Sequence, residues 1–155
     1  MPNNTDVRVY IDHPNKKRID DMVAIFEGER PFNMIIPMPD DIIRDNLTYE
    51  MRQKSNGRNW YDWSCANWGT KWDAYQVRVQ RLSDTAMYVT METAWSPPIP
   101  IFEKLVELGF EVSAYYLDEG WGFIGQFELG HDYTFEVRDA PYNLIEEFNL
   151  EGEFA

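Results

Sequence analysis

The amino-acid sequence predicts an α+β fold in which one antiparallel sheet carries helices on one of its faces. Stretches with period-2 alternation, typical of strands, occur once near the start of the chain and then in two pairs. A stretch with helical periodicity follows the single strand, and another separates the two pairs. With 155 residues, 44% of them apolar, the chain is long enough for one core and too short for two. We therefore expect residues 1–155 to form a single domain.

The first strand and the first helix are indicated by the spacing of their apolar residues. Residues 6–12 place Val7, Val9 and Ile11 at alternate positions, which gives a strand one buried face. Residues 18–28 repeat apolar side chains at i, i+3, i+4 and i+7, the stripe of an amphipathic helix. The chain therefore opens with a strand and then a helix that can pack on it.

A β-hairpin is predicted in the middle of the chain. Residues 74–82 and 86–95 both alternate, and a short polar turn joins them. In the first of these strands we expect Tyr75, Val77 and Val79 to point to the same side of the sheet, because they occupy alternate positions. The hairpin supplies the second and third strands of the sheet.

A second helix and further strands complete the predicted fold. Residues 96–110 begin with prolines, which the first turn of a helix tolerates, and continue with an apolar stripe. Residues 111–130 predict a second hairpin around a glycine-rich turn, and residues 132–139 predict one more strand. The order strand, helix, strand, strand, helix, strand is that of the ferredoxin-like split βαβ fold, here with an extra C-terminal hairpin.

Residues 31–74 interrupt this order as an insert between the first helix and the second strand. Residues 31–39 contain three prolines and predict an extended edge segment or a buried loop. Residues 39–57 begin with acidic residues and end in turn residues, which predicts a helix. A shorter helix is expected between Asn59, a good N-cap, and Gly69, a natural helix stop.

Four of the six tryptophans lie within residues 59–73, the end of this insert. We favour a structural role, in which the indoles fasten the short helix to the sheet, because tryptophan is highly buried on average. The alternative is a ligand pocket with two polar contacts, lined by Trp60, Trp63, Trp68, Lys71, Trp72 and Asp73. For Lys71 and Asp73 we favour a role in fixing a turn. Trp95 is expected to pack, whereas Trp121, at a hairpin tip, is predicted to be exposed for contact with a partner.

Negative charge is concentrated in the C-terminal part of the chain. The net charge is −13, and residues 91–155, which include an acidic tail at 139–155, contribute −12 of it. Such a field repels phosphate backbones and attracts basic surfaces, so we expect a basic host protein as partner and no direct binding of nucleic acid. The predicted acidic face consists of Glu111, Asp118, Glu119, Glu128, Asp132, Glu136, Glu146 and Glu147.

Other classes of site have little support in the sequence. Phosphate-binding, metalloprotease and serine-hydrolase motifs are absent, so we predict no catalytic residues and no cofactor. His13 and His131 each neighbour an aspartate, but two isolated histidines predict no metal site. The single cysteine, Cys65, is expected to be a buried, inert thiol, and its lack of a disulfide partner fits a cytoplasmic protein. No signal segment or membrane span is indicated.

Several motifs together resemble a known family. "NWYDW", "NWGTKWD", "TAWSPP" and "GFEVSAYYLDEGWGFIG" are similar to the ferredoxin-like domain family named for the plasmid protein YubB, found on plasmids and in phage genomes. The similarity covers roughly residues 1–138. It implies a ferredoxin-like fold and a mobile-element origin, and it provides no catalytic residues.

Three hypotheses about function follow. The leading one is a non-catalytic, protein-binding accessory factor of a phage or plasmid, in one version an anti-restriction inhibitor whose acidic surface imitates DNA. The second is a small-molecule or nucleotide-binding module that uses the tryptophan-lined pocket. The third is single-stranded RNA binding on the open sheet through Tyr88 and Arg78, which the net charge disfavours.

Overall fold

The computed structural model describes residues 3–153, and its centre is a six-stranded sheet in which all neighbouring strands are antiparallel. The spatial order is β2-β3-β1-β4-β5-β6. The first four strands have the ferredoxin-like order, and the last two extend the sheet beyond β4, so the predicted fold class is confirmed. The strands are β1 Asn4–Asp12, β2 Tyr75–Ser83, β3 Ala86–Ala94, β4 Glu111–Asp118, β5 Ile124–Glu128 and β6 His131–Phe135.

Two helices cover one face of this sheet and form the main core with it. The helices of the described chain are α1 Lys16–Glu27, α2 Pro31–Ile35, α3 Tyr49–Ser55, α4 Trp60–Asn67, α5 Ile99–Glu107 and α6 Tyr142–Glu147, with short 3-10 turns at Val137–Asp139 and Glu151–Glu153. Alternate residues of β1 and β3 are buried beneath α1 and α5 in one apolar cluster. We call the opposite side the open face, because neither α1 nor α5 covers it.

In the insert, α2 is a helix that was not predicted, and α3 is shorter than the helix that was predicted there. Residues 31–39 were expected to be extended, but Pro31 begins the helix α2, since proline needs no intrahelical N–H at a first turn. Residues 39–57 were expected to form one helix, but only Tyr49–Ser55 is helical. Thr48 is the reason, because its hydroxyl accepts a hydrogen bond from the Met51 N–H and so sets a later helix start.

The helix α4 has the predicted boundaries. The Asn59 side chain caps it by accepting a hydrogen bond from the Asp62 N–H at 2.8 Å, and the Asn59 side-chain amide donates to the Asp62 carboxylate. Gly69 follows the helix with φ of +81°, and a Cβ there would lie 2.6 Å from the Pro100 side chain. Only glycine therefore fits this position without strain.

The predicted orientation of Tyr75 is wrong. Tyr75 pairs with Glu92 and Arg78 pairs with Thr90, so two residues of β2 stand opposite one residue of β3 between these pairs. Gln76, with φ of +52°, lies in this bulge. The extra residue turns Tyr75 onto the open face, whereas Val77 packs against the main core.

The chain after β6 folds back onto the open face. Leu144 on α6 is 0% exposed, and with Phe148 and Leu150 it forms a second apolar cluster against Leu117 and Ile124 of the sheet. The described part of the acidic tail is therefore anchored to the sheet by the apolar residues that alternate with its acidic residues in the sequence. It leaves the middle of the open face accessible.

Candidate functional site

Three tyrosines lie side by side in the middle of the open face. Tyr10 and Tyr88 are direct partners on β1 and β3, and their ring centroids are 4.5 Å apart. Tyr115 on β4 meets Tyr10 edge-on at 6.3 Å. All three are half-buried, so each ring presents part of its surface to solvent. We call Tyr10, Tyr88 and Tyr115 the tyrosine face.

Carboxylates surround the tyrosine face. Burial raises the pKa of Tyr115, and the neighbouring charges of Glu128 and Glu147 raise it further. Burial likewise raises the pKa of Tyr88, and among its neighbours Tyr10, Glu147 and Asp6 add to the shift, whereas the charge of Arg8 opposes it. The carboxylates that contribute to these two shifts give the hydroxyls of Tyr88 and Tyr115 negative neighbours, which a bound cation would offset.

One arginine of this face, Arg8, is held within the protein, whereas Arg78 of β2 is exposed on the same face, opposite Thr90. Arg8 donates to the backbone oxygen of Glu147 at 2.6 Å and lies 3.5 Å from the Asp6 carboxylate. Its guanidinium stacks on the Phe148 ring, 4.4 Å from the centroid. Arg8 therefore fastens the folded-back tail to the sheet, and carboxylates on both sides offset its charge.

More carboxylates line a groove at one end of the open face. Asp12, Glu111 and Glu128 lie along it together with apolar side chains that reach toward α5, and its volume is about 270 Å³. The apolar side chains are Val106, Phe110, Val112 and Leu129. Burial raises the pKa of the Asp12 carboxyl, and the charge of Glu111, its partner across the strands, raises it further. The groove extends the negative surface beyond the tyrosines.

The eight acidic residues predicted to form one face are divided by the fold. Glu111, Glu128 and Glu147 lie on the open face. Asp118 is only 6% exposed and its carboxylate accepts from the Gly122 N–H, so its predicted place on an exposed face is wrong. Asp132 lies on the helix side, where it accepts a hydrogen bond from the Tyr116 hydroxyl. The other three predicted acidic residues are exposed elsewhere: Glu119, Glu136 and Glu146.

Sequence reasoning missed part of this face. Asp6, Tyr10 and Asp12 come from the N-terminal half, which has almost no net charge, and Tyr115 comes from β4. The alternation of β1 placed Tyr10 opposite its buried valines, and that was the available signal. These residues lie near Glu147 only because the strands pair antiparallel and the tail folds back onto the sheet.

The tryptophans of the insert have different roles. Trp68 is 2% exposed, and its indole N–H donates to the Ile36 oxygen at 2.9 Å. Trp63 meets Trp68 edge-on at 5.3 Å, and Trp60 packs against the same core. These three side chains fasten α4 to the main core, whereas Trp72 is 41% exposed. The residues of the predicted pocket are therefore divided between the core and the surface.

Asp73 anchors the insert to the start of β2. Its carboxylate accepts hydrogen bonds from the backbone N–H groups of Phe32, Asn33 and Ala74 at 2.8–3.0 Å. Burial raises the pKa of this carboxyl, and the three N–H donors oppose the shift. Asp73 thus joins α2 to β2 across 40 residues of chain.

Two predictions about burial are wrong. Trp95 is 48% exposed, because its backbone takes a left-handed conformation with φ of +69° and turns the indole outward. Cys65 is exposed on α4, although the preceding residue Ser64 is buried. Trp121 is 41% exposed, as predicted for the tip of its hairpin.

The histidines do not form a cluster. His13 accepts a hydrogen bond from the Asn15 N–H and lies against Phe110, whereas His131 is on the edge strand β6. Between residues 3 and 153, no group of three or more His, Cys, Asp or Glu side chains is arranged to hold a metal ion. Over the same part of the chain, no helix has the length and apolar character needed to cross a bilayer.

Comparison with known proteins assigns this chain to a sequence family. The sequence model of the family described as "Ferredoxin-like domain in Api92-like protein" matches residues 68–153, more than half of the chain. The chain belongs to this family. The match confirms the ferredoxin-like part of the resemblance drawn from the motifs, and the family is a domain of unknown function.

A solved structure is similar to this Api92-like chain over most of its length. It is the crystal structure of a protein api92 from Yersinia pseudotuberculosis, with a TM-score of 0.54 and 10% sequence identity. The similarity covers 91% of this chain and 100% of the solved one. At this identity the comparison shows a shared fold alone. No curated protein matches the chain.

Proposed function

We propose that this Api92-like protein is a non-catalytic binding factor that docks a basic segment of a partner protein on its open face. One observation carries the proposal: the three adjacent tyrosine rings lie among the carboxylates of Asp6, Glu128 and Glu147. A lysine or arginine of the partner would contact a ring face and a carboxylate together. A cation over an aromatic ring contributes about 0.5–2 kcal/mol.

The same arrangement argues against nucleic acid as the ligand. Aromatic rings on the central strands of a ferredoxin-like sheet are also the platform on which RNA-recognition domains stack bases. Such domains need positive charge for the phosphates, whereas Arg8 is held by Glu147 and Asp6, and the exposed Arg78 of β2 shares this face with the carboxylates of Asp6, Glu128 and Glu147. A basic protein segment is the better complement for this face.

The finer form of the proposal is an accessory factor of a plasmid or phage that acts in the cytoplasm. There it would inhibit a host defence or restriction protein by occupying the basic channel where that protein binds nucleic acid. The net charge of −13, the single cysteine and the motif resemblance to plasmid and phage proteins support this form.

The alternative of a small-molecule or nucleotide pocket has less support. Trp68 is part of the core, and the Asp73 carboxylate is occupied by three backbone N–H groups. Neither is available to a ligand unless the insert rearranges.

The proposal is tested with a fluorescein-labelled nona-arginine peptide and fluorescence anisotropy at about 50 mM salt, where electrostatic attraction is strong. The double variant Glu128→Gln, Glu147→Gln removes two charges from the open face. We expect its Kd to rise about tenfold, a loss of about 1.4 kcal/mol. The matched control is Glu27→Gln, Glu103→Gln, which removes two exposed charges from the helices on the other side.

The control should change Kd by less than about twofold, because a remote exposed charge is screened. Equal losses in the two double variants would mean that the peptide senses only net charge, and the proposal would be wrong. A labelled oligouridine that binds more tightly than the peptide would also overturn it, in favour of RNA recognition.

A further inference from the structure

A lysine lies between two half-exposed tryptophans at the edge of the open face. The Lys71 ammonium is 4.4 Å from the centroid of the Trp72 ring and 4.1 Å from that of Trp95. Trp72 and Trp95 are 41% and 48% exposed. Among the ion pairs of residues 3–153, none includes Lys71. We call Lys71, Trp72 and Trp95 the indole clamp.

The backbone holds the two halves of the clamp together. The Thr70 hydroxyl donates to the Ala94 oxygen at 2.7 Å, and the Ser96 hydroxyl donates to the Gly69 oxygen at 2.6 Å. These two hydrogen bonds join the segment before β2 to the end of β3 on either side of the indoles. The clamp is therefore built into the fold before any partner arrives, which lowers the entropy cost of binding.

Trp95 is exposed and has a strained backbone conformation. Its φ of +69° lies in the left-handed region, which side chains other than glycine, asparagine and aspartate seldom adopt. The Trp95 N–H donates to the Asn3 oxygen and the Ser96 N–H donates to the Ala94 oxygen, both at 2.9 Å, and these bonds fix the conformation. The fold therefore holds this indole toward solvent in a conformation that tryptophan seldom adopts, which motivates the hypothesis of a recognition site.

The surroundings of the clamp favour a cation over an anion. Tyr75 lies beside Trp72, with ring centroids 6.4 Å apart. Burial raises the pKa of Tyr75, and the charges of Glu92 and Glu119 raise it further. Negative potential therefore reaches this end of the sheet. The group that lies over the two indole rings is itself a cation, the Lys71 ammonium.

We propose that the indole clamp is a second cation-binding site, in which an arginine of the basic partner displaces the Lys71 ammonium and stacks between Trp72 and Trp95. This inference rests on the proposed function, because it extends the docking of a basic segment from the tyrosine face to the adjoining edge. Arginine is the fitting occupant because its guanidinium is planar and more weakly hydrated than an ammonium. Lys71 competes with the partner's arginine for the two indole rings, so a cation that binds these rings weakly does not displace it.

The first test uses the labelled nona-arginine peptide with Lys71→Ala. Emptying the clamp should lower Kd at least about fivefold, because both the competing ammonium and its repulsion of the peptide are lost. Lys54→Ala is the matched control: Lys54 is an exposed lysine of α3 that pairs with Glu50, and its loss changes the net charge equally. A weaker complex with Lys71→Ala than with Lys54→Ala would mean that Lys71 itself contacts the ligand, which would overturn the proposal.

The second test uses Trp95→Gly, which removes the indole and suits the left-handed backbone. We expect Kd to rise about fivefold or more with no fall in the thermal midpoint. A Kd equal to that of the unaltered protein would overturn the clamp. If Trp95→Gly leaves Kd unchanged but Glu128→Gln, Glu147→Gln still weakens binding, the clamp is wrong and the proposed function stands. The failure of the clamp is thereby distinguished from the failure of the proposed function.

The third test does not depend on the tyrosine face. N-acetyl-arginine amide is titrated at millimolar concentration into the Lys71→Ala protein, and the indole N–H signals of Trp72 and Trp95 are followed by NMR. Saturable shifts of both signals, larger than those with N-acetyl-lysine amide, support the proposal. Unchanged indole signals, or equal shifts with the two amides, would contradict an arginine site.

Discussion

Asp73 offers the sharpest test of how the insert is attached. The proposed change is Asp73→Ala, with Asp73→Asn as a conservative companion. If the carboxylate joins α2 to β2 by accepting three backbone hydrogen bonds, its loss should destabilise the whole domain. If Asp73 were instead a ligand contact, as one hypothesis from the sequence held, its loss would leave stability unchanged.

The expected magnitude follows from the hydrogen bonds. Each backbone N–H left without a partner costs about 1 kcal/mol or more, so Asp73→Ala should lower the free energy of unfolding by about 3 kcal/mol. In Asp73→Asn the amide oxygen can still accept from Phe32 and Ala74, whereas the amide nitrogen faces the Asn33 N–H. Because burial raises the pKa of this carboxyl, the negative charge itself adds little. The asparagine variant should therefore lose about 1–2 kcal/mol.

The assay is equilibrium urea unfolding at neutral pH, followed by tryptophan fluorescence and circular dichroism. Asp21→Asn is the control, because Asp21 is exposed on α1 and forms a surface pair with Lys17, so it should change stability by less than about 0.5 kcal/mol. Amide hydrogen exchange adds a local readout: Phe32 and Asn33 should exchange faster in Asp73→Ala. An Asp73→Ala protein as stable as the Asp21→Asn control would refute the anchor.

Two further predictions concern the sheet and the tail. Gly125→Ala should lower the free energy of unfolding by about 2–3 kcal/mol, because the new Cβ would overlap the Tyr116 ring, whereas Gly152→Ala meets no atom within 4 Å and should be neutral. Thermal unfolding of the two alanine variants checks this, and equal midpoints would contradict the packing. Leu144→Ala should cost about 2–4 kcal/mol, because Leu144 is fully buried between the tail and the sheet. Leu129→Ala, at a side chain 86% exposed, should cost less than about 0.5 kcal/mol in the same urea titration, and similar losses in both would mean that the tail is not docked.

Sequence patterns predicted the fold class because they record burial along the chain. The alternation of Val7, Val9 and Ile11 exists since one side of β1 faces the core, and the stripe of Ile19, Met22 and Phe26 exists for the same reason on α1. Strand and helix order then restricts a chain of this length to few topologies.

Several of the predictions that were wrong depend on contacts that the local sequence does not show. α2 forms at Pro31 because Asp73, about 40 residues later, accepts its first N–H groups. Tyr75 faces the open side because one extra residue bulges at Gln76, and period-2 counting cannot detect such a bulge. Trp95 is exposed because the hydrogen bond that its N–H donates to the distant Asn3 oxygen, with a local one from the Ser96 N–H to the Ala94 oxygen, holds its backbone left-handed.

The candidate site was only partly predictable for a related reason. Charge counting found that the C-terminal part is acidic, and it named Glu111, Glu128 and Glu147. It also named Asp118, which the fold buries, and it could not include Asp6, because a carboxylate joins a surface through its position in space. The eight predicted acidic residues are thus distributed over two faces and the tail.

By itself, the amino-acid sequence determined the class of fold, the order of the strands and of the two core helices α1 and α5, and the overall negative charge, because each of these is set by residue type and local spacing. The tertiary structure decided which charged and aromatic side chains share a surface. Strand register placed Tyr10, Tyr88 and Tyr115 together, and the returning tail brought Glu147 to them. Pairing between residues far apart in the chain is what creates this surface, and no local pattern encodes it.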